Sequence, residues 1–335
     1  MTKRARLFVA HTGDQTISIY DIDPATGSLN LLSTSNAHGG VGALHLRGDV
    51  LLVTHVSGTT LASFQLDGDS LSLINKVDTG LRTPAHLITD GSGRFLMTSY
   101  YSGGGITVHR LGEDGTIGEQ LQHLQTGEKA HAVFRSSDDR FLFVPHVCPT
   151  NKTVQLRFDA GTGRLSSNDP PELAPPDDNA GPRHMCFRPG EDVAYTVNEQ
   201  GNTVTAHRFD RETGLLDSFQ TISTLPAGYD QVSHTAHVEV HPNGRWLFAS
   251  NRGYHSIAGF AIGTDGTLSP FGHYEVPEMP RSFNIEPNGS FLYCAGEGVA
   301  RLVSFRIDQS NGHLEPLDEY ETGSSPFWVM AVGSE

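Results

Sequence analysis

Histidine, arginine and glutamate recur along this 335-residue chain in two interleaved series. One reads Ala85-His86, Ala130-His131, Arg183-His184, Ala236-His237 and Arg281-Ser282. The other reads His11, His55, Tyr100, His146, Asn198-Glu199, Asn251-Arg252 and Gly296-Glu297. Seven of the chain's 17 histidines fall in these series. Imidazole and carboxylate suit proton transfer, and the planar fork of arginine suits a carboxylate or phosphate. A change from apolar strand interior to such residues at one end of each element is what a polar site on a rigid scaffold requires.

Other chemistries are disfavoured. A resident metal is not expected, because no His-x-x-x-His or comparable short spacing occurs and every candidate ligand sits on a different repeat. There is no Gly-x-Ser-x-Gly elbow. Gly103-Gly104-Gly105 leads into a strand pattern, not a helix, so it reads as a tight connection and not as a phosphate loop. No cofactor is expected.

The elements that position these residues come from a repeat. A polar turn with glycine, followed by Leu or Ile, returns at Gly27, Gly68, Gly115, Gly163, Gly214, Gly266 and Gly312, at intervals of 41 to 52 residues. The clearest unit alternates over Ala236–Val240, turns at His241-Pro242-Asn243-Gly244-Arg245, and continues as strands from Trp246 and Ser256 before the Gly266 turn. A weaker fourth strand begins at Leu268. We letter the four strands A to D. Six complete units start near Val41, Ala85, Ala130, Arg183, Ala236 and Arg281. The chain opens on a B-like strand from Arg6 and ends on an A-like strand, Pro326 to Val332. The predicted fold is therefore all-β: a seven-bladed β-propeller with four antiparallel strands per blade. Its C-terminal strand pairs with the N-terminal three to close the ring. One closed domain over 1–335 is expected. Antiparallel order puts the start of A, the end of B and the D-to-A connection on one face, so both series meet there. The long connections Ser167 to Gly181 and Ala227 to Thr235 are expected to overhang the channel on that face.

Composition narrows the class. The net charge of −15 argues against nucleic acid or an acidic membrane as partner. Three cysteines, Cys148, Cys186 and Cys294, make no disulfide framework and fit a reducing cytoplasm. Lys3, Arg4 and Arg6 precede an apolar run too short for a signal peptide, and no segment is long enough to span a membrane. A monomer or weak homo-oligomer is expected.

At Gly181-Pro182-Arg183-His184 and Tyr195-Thr196-Val197-Asn198-Glu199 the chain resembles the seven-bladed propeller lactonase family. Ser250-Asn251-Arg252-Gly253, Pro280-Arg281-Ser282-Phe283 and Ala130-His131-Ala132-Val133 extend the likeness. That family includes cycloisomerase-type 6-phosphogluconolactonases and the fungal 3-carboxy-cis,cis-muconate lactonizing enzyme. The resemblance implies catalytic roles for Glu199, His131, Arg183 and Arg252, with His184, Arg281, His86, His146, His237, Asn251, Tyr100 and Glu297 around the substrate. Departures surround this core: Lys129, His146-Val147-Cys148, Tyr100-Tyr101, His237 and Gly296-Glu297 stand where members usually carry other residues. The implied activity is hydrolysis of a small, anionic sugar lactone, 6-phosphogluconolactone or a related aldonolactone. Water activated by Glu199 or His131 attacks the carbonyl, and arginine faces the developing oxyanion or an anionic substituent. A muconate-type cycloisomerase would use the same parts with an acid that protonates carbon. A non-catalytic propeller that binds a ligand or partner is the alternative of another class.

Overall fold

The computed structural model describes residues 5–333, so Lys3 and Arg4 lie outside the described residues. Among the described residues, twenty-eight strands form seven four-stranded antiparallel sheets. Blade 1 joins Pro326–Val332 to Arg6–His11, Thr16–Ile22 and Leu29–Asn36, which closes the ring as the repeat count requires. The A strands of blades 2 to 7 are Val41–Arg47, Pro84–Thr89, Phe134–Arg135, Pro182–Phe187, His234–Val240 and Pro280–Ile285. Among the described residues no helix is long and apolar enough to cross a membrane.

Each B strand is almost wholly buried, because its two faces meet neighbouring blades. The D strands are mostly half-buried or exposed, as outermost strands are. Six of the seven repeated turn glycines, all but Gly68, sit tight against a side chain of the neighbouring blade. Gly214 has φ +73° and an added Cβ would stand 2.0 Å from Phe141, the first residue of strand B in the preceding blade. Gly27, at φ +78°, meets Phe291 in the same way at 2.3 Å across the closure of the ring. A side chain there would be strained in φ and would displace the aromatic ring it covers.

Two expectations need correction. Strand D of blade 4 runs Arg164–Leu173, so Pro170 and Pro171 belong to it, and the connection to Arg183 is shorter than expected. Proline is tolerated there because an outermost strand leaves one row of backbone groups without a ladder partner. Strand A of blade 4 shrinks to Phe134–Arg135, with Ala130 joined to His146 only by an isolated bridge.

In blades 1 to 6 a buried residue at or near the end of strand B is a polar lock. Nδ1 of His11 and of His55 meets the Oγ1 of Thr16 (3.3 Å) and Thr60 (2.7 Å) on strand C. Their Nε2 atoms meet Thr322 Oγ1 (2.7 Å) and the Ala37 carbonyl (2.8 Å) on the D-to-A connection. His146 joins Thr126 Oγ1 (3.0 Å) and the Glu128 carbonyl (2.8 Å). Asn198 and Asn251 donate from Nδ2 to threonine or serine hydroxyls of strand C. Burial drives the imidazoles of His11 and His146 down to about 4 and lowers that of His55.

A depressed histidine value makes stability complete above pH 6.5 and lost as pH falls toward 4, because the unfolded chain binds the extra protons in that window. Each lock contributes a slope of up to about 1.4 kcal/mol per pH unit. The melting temperature is expected to fall steadily from pH 6.5 to 4.5. It should fall less steeply in His146→Asn, since asparagine fills the same register in blades 5 and 6. Equal slopes for the two proteins by calorimetry would show that His146 is not such a lock.

Candidate functional site

One irregularity repeats in all seven blades. Near the start of strand A the pairing to strand B skips a residue. In blade 5 Pro182 faces Asn198 and His184 faces Val197, which leaves Arg183 unpaired. The same step leaves out Ala85 in blade 3, Arg281 in blade 7 and Phe327 in blade 1. Shifts at Val41/Leu44 and Thr235/Val238, and the gap between the Ala130–His146 bridge and the Phe134–Phe143 pair, do so in blades 2, 6 and 4. An extra residue on one strand bends it and re-aims its side chain. Just before it, Thr83, Lys129, Gly181, Met279 and Ser325 take positive φ. Their carbonyls accept from the N–H of Tyr101, Val147, Glu199, Glu297 and Thr12, each the first residue beyond strand B. These five blades thus present a bulge residue and a post-B residue side by side.

These two rings enclose a cavity of about 360 Å³ lined by Val56, Thr83, Ala85, Tyr101, His131, Glu199, Arg252, Arg281 and Phe327. Glu199 is its electrostatic hub. Arg183 Nε donates to Glu199 Oε2 at 2.8 Å, and Gln200 Nε2 donates to Oε1 at 3.3 Å. Arg252 Nη2 lies 3.2 Å from the same Oε2 but off the hydrogen-bonding direction, so its Nε and Nη2 have no hydrogen-bond partner. Arg281 stands 3.7 Å from Glu297 and 4.1 Å over the ring of Phe327, and its Nε is also unpartnered. His131 packs edge-on against Tyr101 and His184, with Nδ1 buried and free.

The residues singled out from sequence divide into three groups. His131, Glu199, Arg252 and Arg281 reach the cavity wall. Arg183 is 1% exposed and stands behind Glu199, with Nη1 on the Ala236 carbonyl, so it acts through the glutamate. Glu297 is paired to Arg281. His86, His184 and His237 sit within the channel and pack around Trp328. Three placements are corrected: Tyr100, His146 and Asn251 are fully buried locks with their polar atoms bonded inside the blade. Strand alternation is the reason, since the lock and the wall residue are neighbours with opposite aim. The same alternation could have indicated Tyr101 and Val56, one residue beyond Tyr100 and His55. Phe327 and Ala85 needed the bulge. The connections 174–181 and 227–233 do not line the cavity; residues 227–231 border a separate surface hollow with Asn202 and His273. Among the described residues no group of three or more His, Cys, Asp or Glu is placed to hold a metal ion.

Electrostatics follow from this packing. Burial works to raise the carboxyl of Glu199, but Arg183, Arg252 and Arg281 outweigh it and hold the group below the usual range. The imidazole of His131 is held well below its ordinary value, first by burial and then by Arg183, Arg281 and Arg252. The wall therefore offers an ionised carboxylate already engaged by cations, a neutral imidazole, and guanidinium N–H groups without partners.

The family model described as "Lactonase, 7-bladed beta-propeller" matches residues 6–331. A protein named 6-phosphogluconolactonase from Pectobacterium carotovorum subsp. carotovorum is 32% identical over 97% of this chain and 98% of its own length. One of the same name from Serratia proteamaculans is 30% identical over the same shares. The solved structure of the periplasmic gluconolactonase of Pseudomonas aeruginosa superposes with a TM-score of 0.89 over 99% of both chains at 24% identity. That of a putative 6-phosphogluconolactonase from Bacteroides fragilis also gives 0.89, over 98% of both chains at 24% identity. At that identity the two structures speak to the fold.

Replacing Glu199 by leucine would strand the buried charge of Arg183, which costs about 3–5 kcal/mol in comparable cases. Urea denaturation should show that loss in Glu199→Leu and a partial recovery in Glu199→Leu/Arg183→Met. Additive losses in the double variant would mean that the two residues are not coupled.

Proposed function

This chain belongs to the seven-bladed β-propeller lactonase family, and within it we propose that the protein hydrolyses a sugar lactone, 6-phosphogluconolactone or a related aldonolactone. The observation that carries the proposal is the pairing, on one cavity wall, of a neutral imidazole with guanidinium N–H groups that have no partner in the protein. Buried donors are rarely left unbonded without a functional reason. Here the missing acceptors would be oxygens of the substrate. The names borne by the relatives support the choice of a sugar lactone.

In this reading His131 is the general base. It takes one proton from a water as the water oxygen bonds to the lactone carbonyl carbon. The carbonyl electron pair moves to oxygen, and the N–H groups of Arg252 stabilise the charge there. Collapse breaks the ring C–O bond, and the imidazolium returns its proton to the leaving oxygen, giving the open hydroxy acid. Glu199 is a poorer base, since the arginines hold its value down and its oxygens already accept from Arg183 and Gln200. Its role is to hold Arg183 and orient Arg252. Arg281, beside Phe327, faces an anionic or polyhydroxyl end of the substrate. An anionic substrate would offset the arginines and make His131 a stronger base on binding.

His131→Asn is expected to lower kcat for glucono- and 6-phosphogluconolactone by roughly 10²–10⁴-fold after subtraction of spontaneous hydrolysis. Arg252→Ala should fall by a comparable factor, as loss of an oxyanion donor does. Wild-type and variant rates that match on both lactones would defeat the proposal. The acid limb of kcat/KM should lie below the ordinary histidine value. It should move to higher pH in Arg281→Gln, because removing a cation lets the imidazole hold its proton more tightly. An acid limb that does not move would assign the base to another group.

A further inference from the structure

Below the cavity, a line of directed hydrogen bonds crosses consecutive blades. The N–H of Ala331 in blade 1 donates to Asn284 Oδ1 at 2.6 Å, which fixes the amide of Asn284 with its Nδ2 toward Glu239 Oε1. Ile285 N–H donates to Glu239 Oε2 at 2.8 Å. With donors from blade 7 on both oxygens, the Glu239 carboxylate of blade 6 is an acceptor, and His237 Nε2 meets Oε1 at 3.0 Å. His237 Nδ1 in turn lies 2.7 Å from Nδ1 of His184 in blade 5. Two imidazole nitrogens at that distance share one proton, so one ring donates and the other accepts. The ring of His184 then stands edge-on to His131 of blade 4, the centroids 5.1 Å apart.

The direction of the line is set from its Glu239 end. The line runs in one direction when His237 donates from Nε2 to the carboxylate and accepts at Nδ1. His184 must then carry its proton on Nδ1 and keep its free lone pair on Nε2. The ring of His184 is neutral, driven well below its ordinary value by burial and then by Arg183, His237, His131 and His86. Packing holds the rings in this arrangement. Trp328 contacts His86, His184 and His237, Phe134 covers His184, and Phe283 covers His237.

We propose that Glu239 is a positioning residue: through His237 it fixes the tautomer of His184, so that a ring with a free Nε2 lone pair stands beside His131. The consequence for catalysis rests on the lactonase reading with His131 as base. A free lone pair beside His131 favours its newly protonated form, whereas a ring with Nε2–H would oppose it. An aspartate or glutamate that orients a histidine through its far nitrogen works on the same principle.

Glu239→Gln reverses the line. The amide oxygen can still accept from Ile285, so the amide N–H₂ takes the place of Oε1, displaces the Asn284 Nδ2 that donated there, and faces His237; the His237 proton moves to Nδ1 and that of His184 to Nε2. Long-range ¹H–¹⁵N correlation spectra of the full-length protein read these tautomers directly. Wild type should show His184 protonated on Nδ1, and Glu239→Gln should show Nε2. In the same variant kcat on the better of gluconolactone and 6-phosphogluconolactone should drop roughly 10- to 100-fold, with KM within about twofold. His237→Gln, which breaks the line without touching the Asn284–Glu239 bonds, should give the same kcat loss. It also serves where Glu239→Gln folds poorly. An unchanged His184 tautomer in both variants, or a changed tautomer with unaltered kcat, overturns the proposal. The tautomer measurement needs no substrate. Failure of the wild type to turn over either lactone would count against the lactonase reading, while the spectra still decide whether Glu239 directs His184.

Discussion

The site depends on one backbone feature, the extra residue at the start of each A strand. A regular ladder would send alternate side chains of A into the inter-blade cores and leave the channel mouth lined by whatever the pleat dictated. The skipped pair breaks that alternation once per blade, and a residue is turned toward the axis. The left-handed residue before it makes the step possible and ties the post-B residue alongside through one backbone hydrogen bond. The blades thereby deliver side chains to the mouth from the bulge and from the end of strand B, without either long connection lining the cavity. The locks one residue earlier on strand B bind the C strands and the D-to-A connections that carry the chain into these bulges.

The repeat explains the electrostatics as well. Blades 5 and 7 place an arginine at the bulge and a glutamate at the post-B position, so the Arg183–Glu199 pair has a looser counterpart in Arg281–Glu297. Blade 6 lies between them and contributes Arg252 from the end of its B strand, beside the glutamate of blade 5. Three guanidiniums and two carboxylates leave the mouth cationic in a chain of net charge −15. Burial makes that excess effective, because a short-range field in a water-poor site is screened little. Burial, reinforced by the same field, keeps His131 neutral. Anion binding and a usable base are thus two results of one arrangement.

Much of this was legible in the sequence. The turn glycines counted the blades, gave their direction and implied the closure by Pro326–Val332, because a tight turn and an alternating strand are local properties written in adjacent residues. Direction alone brought His131, Glu199, Arg252 and Arg281 to one face. Aim within that face was not legible. Tyr100 and Tyr101, or Asn251 and Arg252, are adjacent in the chain and opposite in orientation, and a one-residue bulge reverses which of two neighbours faces the channel. Ala85 and Phe327 carry no chemical signal of their own and reach the wall only through that step.

What the sequence determined by itself was the number of blades, their order and the chemistry available at one end of the disc. These depend on local pattern and residue type. Only the tertiary structure decided which polar residues became locks, which became wall, and that Arg183 stands behind Glu199 instead of facing the cavity. Those outcomes rest on pairing between strands and on contacts between blades some fifty residues apart, such as Arg183 with the Ala236 carbonyl and His184 with His237. A linear pattern of hydrophobicity and charge does not encode them.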